Sequence, residues 1–206
     1  MPLSHASPVS FDAARRLAFA AALVAAGSVH ALAQDAVDRI GVPGPIAFDG
    51  KSYELAWSSN PQPNYYKQEY VPAGEAPRSY NSMVLVEVLT SGIGAKEALA
   101  AQVKMLNDRK PNDPLVNFGV LQNEQTGEAI LDFIMSQKDD KGEYIVEWNA
   151  YRYVPRQPEG VMLFGVSHRA YGNEAAKTFL TNLREMRPGQ IDKVARQEMP
   201  KAEPAR

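Results

Sequence analysis

Acyl transfer and related hydrolytic chemistry need a nucleophile, a base within hydrogen-bond reach of it, and a third group that orients the base. Of the three histidines in this 206-residue chain, His5 and His30 fall in the N-terminal stretch discussed below, which leaves His168. Its neighbour Ser167 alternates to the opposite face of any strand carrying both, and no G-x-S-x-G elbow supplies another serine. His168 therefore reads as a packed, hydrogen-bonded residue, not as a base. One histidine and no cysteine leave out the ordinary zinc sites. Asp139, Asp140 and Glu143 lack the alternating oxygen ligands of a calcium loop. "SGIGAK" (91–96) opens a helix after a strand, but without the glycine and lysine spacing that cradles phosphate. The sequence thus assigns no catalytic residue, no metal and no cofactor.

A recognition surface uses mixed aromatic, amide and charged side chains. Two places offer them. Asp132, Glu147, Asn149, Tyr151, Tyr153, Ser167 and Arg169 come out on one face of the predicted sheet, the face an antiparallel sheet can turn to water. Tyr66, Tyr70 and Tyr80, with Tyr65, flank the polar turn Pro72–Ser79 and read first as an aromatic-rich hairpin and second as a rim for a partner. Asp132 and Glu147 on a shared face would suit glycoside hydrolysis, but Arg169 opposite Glu147 occupies that carboxylate.

These placements rest on the elements around them. "IAFDGKSYELAW" (46–57) holds a hairpin with its turn at Asp49-Gly50, and "SSNPQPN" (58–64) reads as a loop. A strand from Tyr65 to Val71 pairs with Tyr80 to Leu89, whose "MVLVEVL" is apolar on both faces except at Glu87, as an interior strand is. A four-strand meander follows: Leu115–Gln122, Glu128–Lys138, Glu143–Val154 and Val161–Ala170. Two amphipathic helices frame it. Gly94–Lys110 turns Ala95, Ala98, Leu99, Val103 and Leu106 to one side; Asn173–Arg187 does so with Ala176, Phe179, Leu180 and Leu183, and ends at Pro188-Gly189. The order predicts an α+β fold: an antiparallel sheet of about six to seven strands with two helices.

Register decides which side chains share a face, because a one-residue slip flips them all. With "DDKG" (139–142) as the loop, Lys138 faces Glu143, Met135 faces Val146, Phe133 faces Trp148 and Leu131 faces Ala150; Asp132 then faces Asn149. With Pro155 facing Val161, Trp148 meets His168, Glu147 meets Arg169, Asn149 meets Ser167 and Tyr151 covers Gly165.

The ends carry an address. Arg15-Arg16, the apolar run "LAFAAALVAAGSV" (17–29) and the A-x-A of Ala31 and Ala33 follow the order of a secretory signal peptide, with cleavage expected after Ala33. Without cysteine there is no lipid anchor and no disulfide framework. The domain plan is then a cleaved leader (1–33), an irregular lead-in holding the first hairpin (34–64), one α+β domain (65–188) and a flexible tail (189–206). A formal net charge of −2 without a basic block argues against nucleic acid as a partner, and no further apolar run reaches membrane-spanning length.

The order of elements from Met83 to Arg187 resembles the Mog1/PsbP-like group of α/β sandwiches. That resemblance implies an exported accessory or assembly factor and transfers no functional residue. The expectation is a soluble, non-enzymatic protein, periplasmic or secreted, that recognises an envelope protein or a small ligand. The alternatives are a periplasmic hydrolase with an unrecognised site, and an inhibitor or immunity-type protein presenting the Pro72–Ser79 loop.

Overall fold

The computed structural model describes residues 36–90 and 92–204; the expected leader, 1–33, lies outside them. The described elements, in chain order, are β1 (Ile46–Phe48), β2 (Lys51–Gln62), β3 (Tyr65–Val71), β4 (Ser82–Leu89), α1 (Ala95–Arg109), β5 (Asn117–Asn123), β6 (Glu128–Lys138), β7 (Tyr144–Pro155), β8 (Val161–Tyr171) and α2 (Asn173–Arg196). The fold is α+β, but the sheet has eight strands, not six or seven, in the order β1-β2-β3-β4-β8-β7-β6-β5 with every pairing antiparallel. The Asp49-Gly50 turn forms as expected, with both residues at positive φ (48° and 73°), as a tight two-residue hairpin requires. β2 then continues through Ser58–Gln62, read from sequence as a loop. Pro61 is tolerated because β1 covers β2 only as far as Tyr53, so beyond that point β2 is itself an edge, irregularly paired with β3.

Two cores result, one on each face of the sheet. β4 sits at the centre, and its eight residues are all buried. Leu85 and Leu89 point to one side with Leu131, Phe133, Met135 and the apolar stripe of α1. Val84, Val86 and Val88 point to the other with Trp148, Phe164 and Val194 of α2. Topology forces this arrangement. β4 lies beside β8 while β5 lies at the far edge, so the connection between them has to cross β8, β7 and β6, and it lays α1 on them. No open face remains there for a polar surface, contrary to the sequence expectation.

Two further expectations change. The β6–β7 turn is one residue longer than "DDKG": Asp139 Oδ1 accepts the N–H groups of Lys141 and Glu143, both at 2.9 Å, and Gly142 takes positive φ. Lys138 therefore pairs with Tyr144, Met135 with Glu147, Phe133 with Asn149 and Leu131 with Tyr151. Every β6 side chain changes face relative to β7. The β7–β8 register, by contrast, is the expected one throughout. The second change is at the C-terminus, where α2 runs on through Pro188-Gly189 to Arg196. Proline there removes one helical hydrogen bond, but tertiary contacts outweigh the loss. Val194 and Gln190 are buried, Gln190 donates to Asp49 at 2.7 Å, and Lys193 pairs with the same carboxylate. Residues beyond the helix are also held: Ala202 is buried and the Glu203 N–H bonds the Ile40 carbonyl at 2.7 Å.

Asp113 pins the end of α1 to β6. Its carboxylate accepts from the Ser136 N–H (2.6 Å), the Ser136 hydroxyl (2.7 Å) and Arg109 Nε (2.8 Å). Burial pushes its pKa up, but those hydrogen bonds and the Arg109 charge hold it below the ordinary 3.8. A carboxyl depressed on folding stabilises above its unfolded pKa and loses that contribution as pH falls through the folded value. Asp113→Asn is therefore expected to lose about 1–3 kcal/mol at pH 7, and to lose less than the parent between pH 5 and pH 3. Urea midpoints at those three pH values check it.

Candidate functional site

On the α1 side, residues of neighbouring strands line up in rows across the sheet. One row runs Lys67 (β3), Glu87 (β4), Leu163 (β8) and Tyr153 (β7); the next runs Glu69, Leu85, Gly165 and Tyr151. Beyond them Met83, Ser167 and Asn149 form a third, and Arg169 faces Glu147. Period-two alternation on four strands thus gathers five buried polar groups, Lys67, Glu87, Glu147, Asn149 and Ser167, on one face. Gly165 makes the arrangement fit, since a Cβ there would stand 2.7 Å from Leu85 Cγ and 2.8 Å from Tyr151 Cδ1.

Two knots of charge organise the face. In the first, Glu147, 3% exposed, accepts from Tyr80 Oη (2.7 Å), Arg169 Nε (2.6 Å) and Asn149 Nδ2 (3.0 Å). The Asn149 Oδ1 in turn accepts from the Ser167 hydroxyl. Arg169 also donates to Tyr80 Oη at 2.8 Å, with its guanidinium 4.1 Å above the Tyr80 ring, and the Tyr171 hydroxyl bonds the Tyr80 carbonyl. In the second knot, Lys67 Nζ lies 3.3 Å from Glu69 and 3.4 Å from Glu87, and the other Glu87 oxygen accepts from Tyr65 Oη at 2.6 Å. A cavity of about 30 Å³ separates them, lined by Lys67, Glu69, Tyr80, Glu147, Ser167 and Arg169 among others. It has the size of one water molecule's share of the liquid.

The electrostatics favour fixed charge over proton transfer. Burial lowers the pKa of Arg169, but the Glu147 carboxylate outweighs it and the net shift is upward. Burial likewise opposes the charge on Lys67, and Glu87 with Glu69 restores it. Glu69 is raised, chiefly by burial, against the pull of Lys67. Burial drives the phenols of Tyr65, Tyr80, Tyr151 and Tyr153 upward, so they stay neutral. His168 is on the opposite face, stacked on Trp148 with centroids 5.9 Å apart and planes 15° from parallel. Burial lowers its pKa, the neighbouring Gln190 side chain opposing. Ser167 donates to Asn149 and points away from it. No nucleophile, base and orienting acid come together here, and among the described residues no three His, Asp or Glu side chains are grouped to hold a metal ion.

The structure therefore brings together six of the ten sequence candidates: Tyr80, Glu147, Asn149, Tyr151, Ser167 and Arg169. Tyr153 shares their face, fully buried. Asp132 does not join them. The longer β6–β7 turn puts it on the α2 side, paired with Arg187, which separates it from Glu147 and removes the glycosidase-like pair. The tyrosine hairpin is not a rim. Tyr70 is buried on the α2 side, donating to the Val42 carbonyl and accepting from Gln68, both at 2.6 Å. Of the four, only Tyr66 keeps appreciable exposure, its hydroxyl on the Pro63 carbonyl. Sequence reasoning missed Lys67, Glu69 and Asp113. The available signal was Glu87, the one charge in an otherwise apolar strand, which needed a partner from β3.

Breaking a buried pair leaves a charge without compensation. Arg169→Met is expected to cost about 3–5 kcal/mol in urea unfolding, whereas Glu147→Gln combined with Arg169→Met costs clearly less than the two single losses added.

No curated protein matches the chain. A family model matches residues 40–199, a stretch that contains all eight strands and both helices. With most of its length inside that match, the chain belongs to the family so defined.

Proposed function

We propose that this is an exported, non-enzymatic protein of the cell envelope, a binding or accessory module in the manner of the Mog1/PsbP-like group. Its leader-like first 33 residues support export to the periplasm or beyond. Among the described residues no helix is long and apolar enough to cross a membrane. The closed hydrogen-bond network around Glu147 supports a scaffold role for the polar face and weighs against the hydrolase alternative.

The observation that carries the binding reading lies elsewhere, in a groove of about 760 Å³ between the first turns of α2 and the β6–β7 hairpin. Pro114, Leu115, Tyr144, Val146, Ala176 and Leu180 line it. Leu180 and Tyr144 are 36% and 37% exposed, well above the rest of the apolar residues in the two cores. A concave, largely apolar site of this volume is what small-ligand pockets and peptide anchors use. Lys138 and Lys177 stand among its lining residues, so the ligand that fits is apolar with an anionic group. Native mass spectrometry on protein recovered from the envelope is expected to show extra mass that disappears on denaturation. Leu180→Asp should abolish it while the chain stays folded, at a cost of about 1–2 kcal/mol. A bare chain from the native source, or ligand retained by Leu180→Asp, would overturn the groove as the site.

A further inference from the structure

We infer that β5 is a self-pairing edge, joining two copies of this chain by antiparallel strand addition about a two-fold axis at Val120. The inference does not depend on what the groove binds. Sheet edges in natural proteins are normally blunted by charge, proline, bulges or shortness, because an unpaired strand offers its backbone to any other chain. The edge at β1 is blunted in this way: three residues long, directly after Pro43-Gly44-Pro45. The edge at β5 is not. "NFGVLQN" (117–123) contains no charge and no proline, pairs with β6 in unbroken register, and has no described strand on its outer side. It also carries Val120 and Leu121, 40% and 56% exposed, as neighbours on opposite faces of the sheet, so a strand laid alongside covers both.

The occupant follows from complementarity. Antiparallel pairing centred on Val120 sets Phe118 against Gln122 of the second copy, Gly119 against Leu121, and Asn117 against Asn123, with no like charges in opposition. Leu121 of each copy then lies across Gly119 of the other, over which that copy's Asp132–Arg187 pair sits, 3.1 and 3.2 Å from where a Cβ would be. Lys110 stands 4.7 Å over the Phe118 ring, at the start of the strand, and Glu124 follows immediately at its end. The two-fold brings Lys110 of each copy toward Glu124 of the other. Two seven-residue edges bury less than the roughly 1,200 Å² at which stable interfaces begin. The pairing is accordingly a weak, concentration-dependent dimer.

The chain has no cysteine, so Val120→Cys introduces a single thiol that faces its own copy across the axis at a separation a disulfide can bridge. Treated with diamide, the purified Val120→Cys protein is expected to form disulfide dimer about tenfold faster than Leu180→Cys at equal concentration, since pairing raises the local thiol concentration. Sedimentation equilibrium of the parent should show mass rising with concentration toward two chains. Val120→Lys, an exposed substitution, and Leu121→Lys should each hold the protein at one. Equal oxidation of the two cysteine variants overturns the proposal. So does a parent that stays monomeric at all concentrations, or a dimer that survives both lysine substitutions.

Discussion

Taking a carboxylate out of water costs several kcal/mol unless donors meet it from every open direction, and Glu147 makes that demand near the middle of the sheet. Its donors come from three separate places: Arg169 on β8, Tyr80 ahead of β4, and Asn149 two residues along β7. They converge only if β8 sits between β7 and β4 in the observed registers. A slip of one residue would swap Arg169 for His168 or Ala170 and leave the charge uncompensated. The apolar pattern alone is less exacting, because β4 is buried on both faces and would stay apolar in either register. Here the polar pair fixes what the hydrophobic residues leave open.

The same division explains what could be read in advance. The β7–β8 register was legible because it paired Glu147 with Arg169 and Trp148 with His168 in one step, so charge and aromatic matching agreed. The β6–β7 register offered no such pair. Hydrophobic sorting favours the alignment with Lys138 facing Glu143, and what overrides it is Asp139 folding back on the N–H groups of Lys141 and Glu143, a local hydrogen-bond pattern that lengthens the turn. That single residue sent Asp132 to the other face and divided the expected site. The helix end at Pro188-Gly189 was misread for a related reason. Local propensity marks a stop there, while the partners that carry α2 onward, Asp49 above all, lie about 140 residues away in sequence.

The site was legible in composition and not in exposure. Five of its residues, Glu147, Asn149, Tyr151, Ser167 and Arg169, are where strand alternation places them, but alternation does not say what lies above a face. That depends on how the chain gets from β4 to β5, and the need to cross three strands becomes visible only once β8 is known to insert beside β4. With both faces covered, polar residues at the centre become scaffold. The two surfaces proposed above for contact with other molecules are both peripheral: the groove beside α2 and the bare edge of β5.

The insertion of β8 next to β4 also governs the order in which this molecule can assemble. β4 is uncharged but for Glu87, fully buried, and flanked on one side by a strand that ends only at Tyr171. In a chain emerging from its N-terminus β4 keeps an open apolar edge until β8, Val161–Tyr171, arrives, although both polar partners of Glu87, Lys67 and Tyr65, already stand on β3. Non-local pairing of this kind is slow and exposes the intermediate to aggregation. Among the strands β8 is thus the one that closes the β4 edge and joins the two halves of the sheet.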